Sequence, residues 1–141
     1  MNRVMFSHKS NEWSTPQETY TALDAEFHFA DDACPLAGEA NGLMREWRSP
    51  CYCNPPYSEI GRWMEKAWLE SQAGKTVVLL VPSRTDTRWF HKFCLRGEIR
   101  FIKGRLKFGG HKNAAPFPSM VVVFNSPALA RRDAENYGVK K

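Results

Sequence analysis

The sequence predicts an α/β fold in which strands alternate with helices around a buried sheet. Three observations carry this. Thr76-Val77-Val78-Leu79-Leu80-Val81 is a continuous apolar, largely β-branched run, the pattern of a strand buried on both faces. Just before it, Ile60, Trp63, Met64, Ala67 and Trp68 recur at i, i+3, i+4, i+7 and i+8, the single apolar stripe of a helix. Ahead of that helix, Pro50-Cys51-Tyr52-Cys53 runs into Asn54-Pro55-Pro56-Tyr57, which reads as a strand ending in a stiff loop. Strand, helix and strand in this succession make a parallel crossover unit.

A chain of 141 residues is long enough to bury one core without disulfides or structural metal. Residues 13–125 are expected to form one domain, between a flexible polar arm at 1–12 and a polar tail at 126–141. No apolar run approaches the roughly 20 residues that span a bilayer, and residues 1–6 lack the apolar centre of a signal peptide. Four cysteines, at 34, 51, 53 and 94, have no framework spacing, so reduced thiols and a cytoplasmic location are expected. Cys51 and Cys53 are one residue apart on a strand and share a face, which suits small core side chains better than the wider spacing of zinc ligands; no metal is expected. The net charge of +5 favours a polyanionic partner, nucleic acid first.

Taken in order, Thr15, Pro16 and Glu18 read as N-cap, first helical residue and capping-box partner of a helix over residues 16–26 that buries Tyr20, Leu23 and Phe27. Trp13, ahead of the cap, either covers the helix end or walls a ligand pocket. Residues 27–34 alternate like a short strand and end on Asp31 and Asp32, at the carboxyl edge where α/β sheets bind ligands. Residues 35–48 read as loop, with a helical turn around Leu43, Met44 and Trp47. Ser58 is the expected N-cap of the striped helix, and Gly74 its end. Pro82 closes the apolar strand, and Ser83-Arg84-Thr85-Asp86-Thr87 forms a second polar loop at the same edge. Thr85 or Asp86 then caps a helix bearing Trp89, Phe90, Phe93 and Cys94. Strands follow at 99–102 and 104–108, a Gly- and Pro-rich loop at 109–118, and a last interior strand at 119–124.

The Pro-Pro loop has its own chemistry. An exocyclic nucleobase amine is a poor nucleophile because its lone pair is delocalised, and it must pyramidalise to attack. The Asn54 side-chain oxygen and the Pro55 carbonyl, in a backbone stiffened by two prolines, offer two acceptors for its N–H bonds. Tyr57 offers an aromatic face to a base flipped from its duplex or already single-stranded.

With these residues the chain resembles the compact N6-adenine methyltransferases often carried by bacteriophages, over residues 13–124. The resemblance rests on Trp13-Ser14-Thr15-Pro16, Phe29-Ala30-Asp31-Asp32-Ala33 and Asn54-Pro55-Pro56-Tyr57-Ser58. It continues through residues 81–90, Lys103-Gly104-Arg105-Leu106-Lys107-Phe108 and Pro116-Phe117-Pro118-Ser119. It implies a reduced Rossmann-like class I methyltransferase fold: a mostly parallel sheet with an antiparallel C-terminal strand and helices on both faces. It further implies that S-adenosylmethionine donates a methyl group to N6 of adenine in DNA. Asn54, Pro55, Pro56 and Tyr57 then carry the transfer. Trp13, Thr15, Pro16 and Asp32 serve the donor, with Asp32 matching the family's acidic position better than Asp31. Tyr57, Ser58, Arg84, Thr85, Arg88 and Arg105 contact DNA. The F-x-G-x-G loop of larger methyltransferases is replaced by Asp32-Ala33-Cys34-Pro35. Cytosine N4, RNA or a protein amide would satisfy the same acceptor logic, and a DNA-binding module on an inactive scaffold is the alternative outside catalysis.

Overall fold

In the computed structural model, which describes residues 14–35, 41–108 and 113–127, the chain runs from helix α1 (Gln17–Phe27) through strands β1 (Asp31–Asp32) and β2 (Cys51–Cys53) to helix α2 (Ile60–Gln72). Strand β3 (Val77–Pro82), the short helix α3 (Arg88–Lys92), and strands β4 (Glu98–Phe101) and β5 (Ser119–Phe124) complete it. The strands form one sheet in the order β1-β2-β3-β5-β4. β1 and β3 flank β2 in parallel, while β5 lies antiparallel to both β3 and β4. Only the C-terminal strand therefore runs against the others, and the mixed α/β sheet is open.

Period two along each strand divides the core. Cys51, Cys53, Val77, Leu79, Val81, Met120, Val122 and Phe124 face Ile60, Trp63, Met64 and Ala67 of α2 and Phe90 of α3. Tyr52, Val78, Leu80, Val121 and Val123 face Leu23 and Phe27 of α1 together with Phe108 and Phe117. Every residue of β3 and β5 is buried, which is why both read as unbroken apolar runs. Helices thus cover both faces.

The register also determines which loops meet. β1, β2 and β3 end side by side, and Pro82 pairs with Ser119, so the segment entering β5 lies at the same edge. Phe101 pairs with Met120, so the chain leaving β4 starts there too. The loops after Asp32, Cys53 and Pro82, and both ends of the 102–118 connection, share one sheet edge.

Several expected elements differ. Pro16, not Thr15, is the N-cap of α1, and no side-chain capping bond forms; the Thr15 hydroxyl is turned to tertiary partners instead. Phe27 is the last residue of α1 and His28 its left-handed C-cap at φ 57°, so the strand expected over 27–34 contracts to Asp31–Asp32. The helical turn is a 3-10 turn at Asn41–Leu43, short of Met44 and Trp47. Ser58 lies inside a 3-10 turn, Tyr57–Glu59, that leads into α2, and Glu59 rather than Ser58 takes the cap position. Thr87, not Thr85 or Asp86, caps α3 by accepting from Phe90 N. That helix stops at Lys92, before Phe93 and Cys94, and residues 104–108 form no strand. Trp13, the arm at 1–12 and residues 128–141 of the tail lie outside the described residues. Among the described residues no helix is long and apolar enough to cross a membrane.

Candidate active site

Asn54-Pro55-Pro56-Tyr57 leaves β2 at the shared edge, as a stiff loop between strand and helix. Pro55 is buried, and the Pro56 carbonyl accepts from Glu59 N at 3.1 Å, so that carbonyl closes the 3-10 turn. Asn54 Nδ2 donates to Thr15 Oγ1 at 3.1 Å, and Thr15 Oγ1 lies 2.5 Å from the Tyr52 hydroxyl. The residues before α1 and the loop after β2 are thereby joined through three side chains.

Tyr57 sits between the two core clusters. Its ring meets Phe117 edge-on, centroids 5.3 Å apart, and the Arg84 guanidinium lies over the other ring system, 5.9 Å from the Phe117 centroid. Burial pushes the Tyr57 phenol above its ordinary value, and the Arg84 charge only partly offsets this, so it stays protonated at neutral pH. Three loops, at residues 54–57, 83–87 and 113–118, therefore share one aromatic and cationic wall.

The two aspartates have different surroundings. Asp31 accepts from Arg45 through both oxygens, at 2.8 and 3.0 Å, and from Arg48 N at 2.8 Å. Burial pushes its pKa up, but these donors outweigh it and hold the carboxyl below the usual range. Asp31 is a fastening for residues 45–48. Asp32 Oδ1 accepts from Cys34 N at 3.2 Å, where the β1 chain turns at the edge.

Cys51, Cys53 and Cys94 are buried core thiols; burial and nearby carboxylates push Cys51 up to about 12, so it is not a nucleophile at neutral pH. Among the described residues no group of three or more His, Cys, Asp or Glu could hold a metal ion.

A family model described as DNA N-6-adenine-methyltransferase (Dam) matches residues 5–133 of the 141. The chain belongs to this family. It is an adenine-specific DNA methyltransferase, with DNA as the substrate its family implies. No curated protein and no solved structure matches it.

In this Dam-family chain, Thr15 and Asn54 are bonded at the edge, Tyr57 and Arg84 meet there through Phe117, and Asp32 and Ser58 lie on the segments that leave β1 and β2. Thr85 is exposed on the 83–87 turn, where its carbonyl lies 2.8 Å from His91 Nε2. Arg88 is exposed at the first position of α3, and Arg105 is exposed on the 102–108 segment. Pro16 caps α1 beside Thr15. Two residues at the site, Tyr52 and Phe117, were given no site role by sequence, although Phe117 stands in one of the motifs that carry the resemblance. Strand period two places Tyr52 opposite Cys51 and Cys53, toward α1, and Phe117 stands between two prolines as Tyr57 follows two. Those signals could have found them. Ser83 Oγ and Ser119 Oγ, at the edge itself, are buried with no hydrogen-bond partner among the described residues.

Proposed function

We propose that this Dam-family enzyme transfers the methyl group within the Asn54-Pro55-Pro56-Tyr57 loop, on a reduced Rossmann-like domain spanning residues 13–125. The observation that carries the reading is the Thr15–Asn54 bond. With Nδ2 docked on Thr15, the end of the Asn54 amide that does not face Thr15 is its oxygen, an acceptor of the kind a target amine requires. Asn54 Oδ1 and the Pro55 carbonyl accept the two N–H bonds of adenine N6 and favour its pyramidal form. Pro56 stiffens the backbone that holds them, and Tyr57, braced by Phe117, holds the base against an aromatic face. The base enters by flipping from duplex DNA or from a single strand, and Ser58, Arg84, Thr85, Arg88 and Arg105 steady the backbone around it.

S-adenosylmethionine, the donor this family generally uses, supplies an electrophilic methyl group when bound. The chemistry of the donor set fits it: a carboxylate at the end of β1 suits a ribose diol or an ammonium group, and Asp31 is committed to Arg45 while Asp32 lies at the edge. Asp32 would hold the donor with Thr15, Pro16 and Trp13.

Incubation with labelled donor and DNA, followed by digestion to nucleosides, tests the reading. N6-methyladenine is expected, with Asn54→Ala slower by about 100-fold or more. Its absence, its replacement by N4-methylcytosine, or an unaffected Asn54→Ala would overturn it.

A further inference from the structure

The Thr15–Tyr52–Asn54 contact does more than tie two segments together. An asparagine amide has two ends of nearly equal size, and only its hydrogen bonds decide which end points where. We propose that Tyr52 is a positioning residue for methyl transfer: its hydroxyl, bonded to Thr15 Oγ1, holds the Thr15 hydroxyl in the place where it accepts from Asn54 Nδ2. This rests on the reading of Asn54 as an acceptor for the target amine.

Tyr52 is suited to that task. It lies on β2, two residues before Asn54, and is 2% exposed, so its hydroxyl has no competing bulk water. Its ring is fixed by Tyr20, edge-on at 5.1 Å between centroids, and by Phe29 at 5.3 Å. Burial keeps the phenol neutral across the working pH range. The 2.5 Å separation from Thr15 Oγ1 is a short hydroxyl–hydroxyl bond. A threonine without this partner could turn its hydroxyl away from Asn54 and leave the amide without the contact that orients it. Held by Tyr52, the Thr15 oxygen stays within reach of Nδ2, and the amide keeps the orientation in which its nitrogen faces Thr15.

Two near-isosteric variants test the relay. Tyr52→Phe keeps the packed ring and removes only the hydroxyl; Thr15→Val keeps the shape and removes the acceptor. In single-turnover methylation at saturating donor and DNA, each should slow the rate about 10-fold. The double variant should be no slower than the slower single one, and Thr15→Ser should recover most of the rate. Melting temperature, and S-adenosylmethionine affinity of Tyr52→Phe by calorimetry, should stay near wild type, which a purely structural role would not predict. A wild-type rate for Tyr52→Phe, multiplying effects in the double variant, or a rate loss that tracks lost stability or donor affinity overturns the relay alone. If the wild-type protein forms no N6-methyladenine, the Asn54 reading fails and the relay with it.

Discussion

The Phe117 ring meets the Tyr57 ring at 72° with centroids 5.3 Å apart, although 60 residues separate them. Phe117 is in turn capped by Arg84 and backed by Phe108 at 6.1 Å. An edge-to-face pair contributes about 0.5–1.5 kcal/mol beyond burial. Phe117→Leu retains most of the volume and loses the pair, so the melting temperature should fall by only a few degrees. Methylation should fall by about 5-fold or more, mainly as a raised KM for DNA, because Tyr57 loses its brace. Steady-state kinetics with an oligonucleotide substrate read this; an unchanged KM would mean that Phe117 acts on the core alone.

The adjacent aspartates should separate stability from donor binding. Asp31→Ala removes the paired acceptor of the solvent-accessible Arg45 guanidinium and the acceptor of the Arg48 N–H, at a cost of about 1 kcal/mol. At about 4 °C per kcal/mol, that is a clear drop in melting temperature. Asp32→Ala should leave the melt nearly unchanged and weaken S-adenosylmethionine binding by about 10-fold or more, the scale of one lost charge-assisted bond. Calorimetry and thermal melts together decide it, and the opposite pairing of effects would reassign the donor carboxylate to Asp31.

What the sequence disclosed about this fold follows a physical rule. β5 was legible to the residue and β3 to within one, because a strand buried on both faces must be apolar throughout, and the α2 stripe was legible because one wide face is buried. Local caps were not. Thr15 had a good local use at the start of α1, and a tertiary partner 37 residues away claimed it. Phe27 and Phe29 alternate like strand residues, but Phe27 ends α1 and His28 turns the chain at φ 57°, so the strand begins only at Asp31. The Pro-Pro loop was legible because its stiffness is local. Its supports, Tyr52 and Phe117, had only weak local signals, period two on β2 and a flanking pair of prolines; that they meet the loop depends on strand order and register.

Gly42 supports the same edge from below. A Cβ there would come within 2.1 Å of the Ala33 carbonyl and 2.8 Å of the Trp63 ring, while the Gly42 carbonyl accepts from Trp47 Nε1 at 2.7 Å. Gly42→Ala must displace backbone next to Asp32, with a cost of at least about 1–3 kcal/mol. Lower melting temperature and weaker donor binding should appear together, the second because Ala33 adjoins Asp32. A melt identical to wild type would show that the 41–43 turn yields without strain.

Glu70 gives the fold a defined acid limit. Its carboxylate takes Lys75 at 2.5 Å, Lys66 at 2.9 Å and Trp47 N at 3.1 Å, fixing the segment before β2 to α2 and to the approach of β3. Burial pushes its pKa up, but the two lysines and the Trp47 amide outweigh it and bring it from 4.5 down to about 2. A depressed carboxylate contributes stability that is fully present above its unfolded value and lost as pH falls through the folded one. The contribution should therefore be constant above about pH 5 and disappear between 4.5 and about 2. Glu70→Gln removes the charge-assisted bonds at a cost of about 1–3 kcal/mol. Its deficit in unfolding free energy against wild type should be steady near neutral pH and shrink as the buffer is taken below 4.5. Denaturant titrations at a series of pH values measure it, and a deficit that stays constant down to pH 3 would show that Glu70 is not the group that titrates.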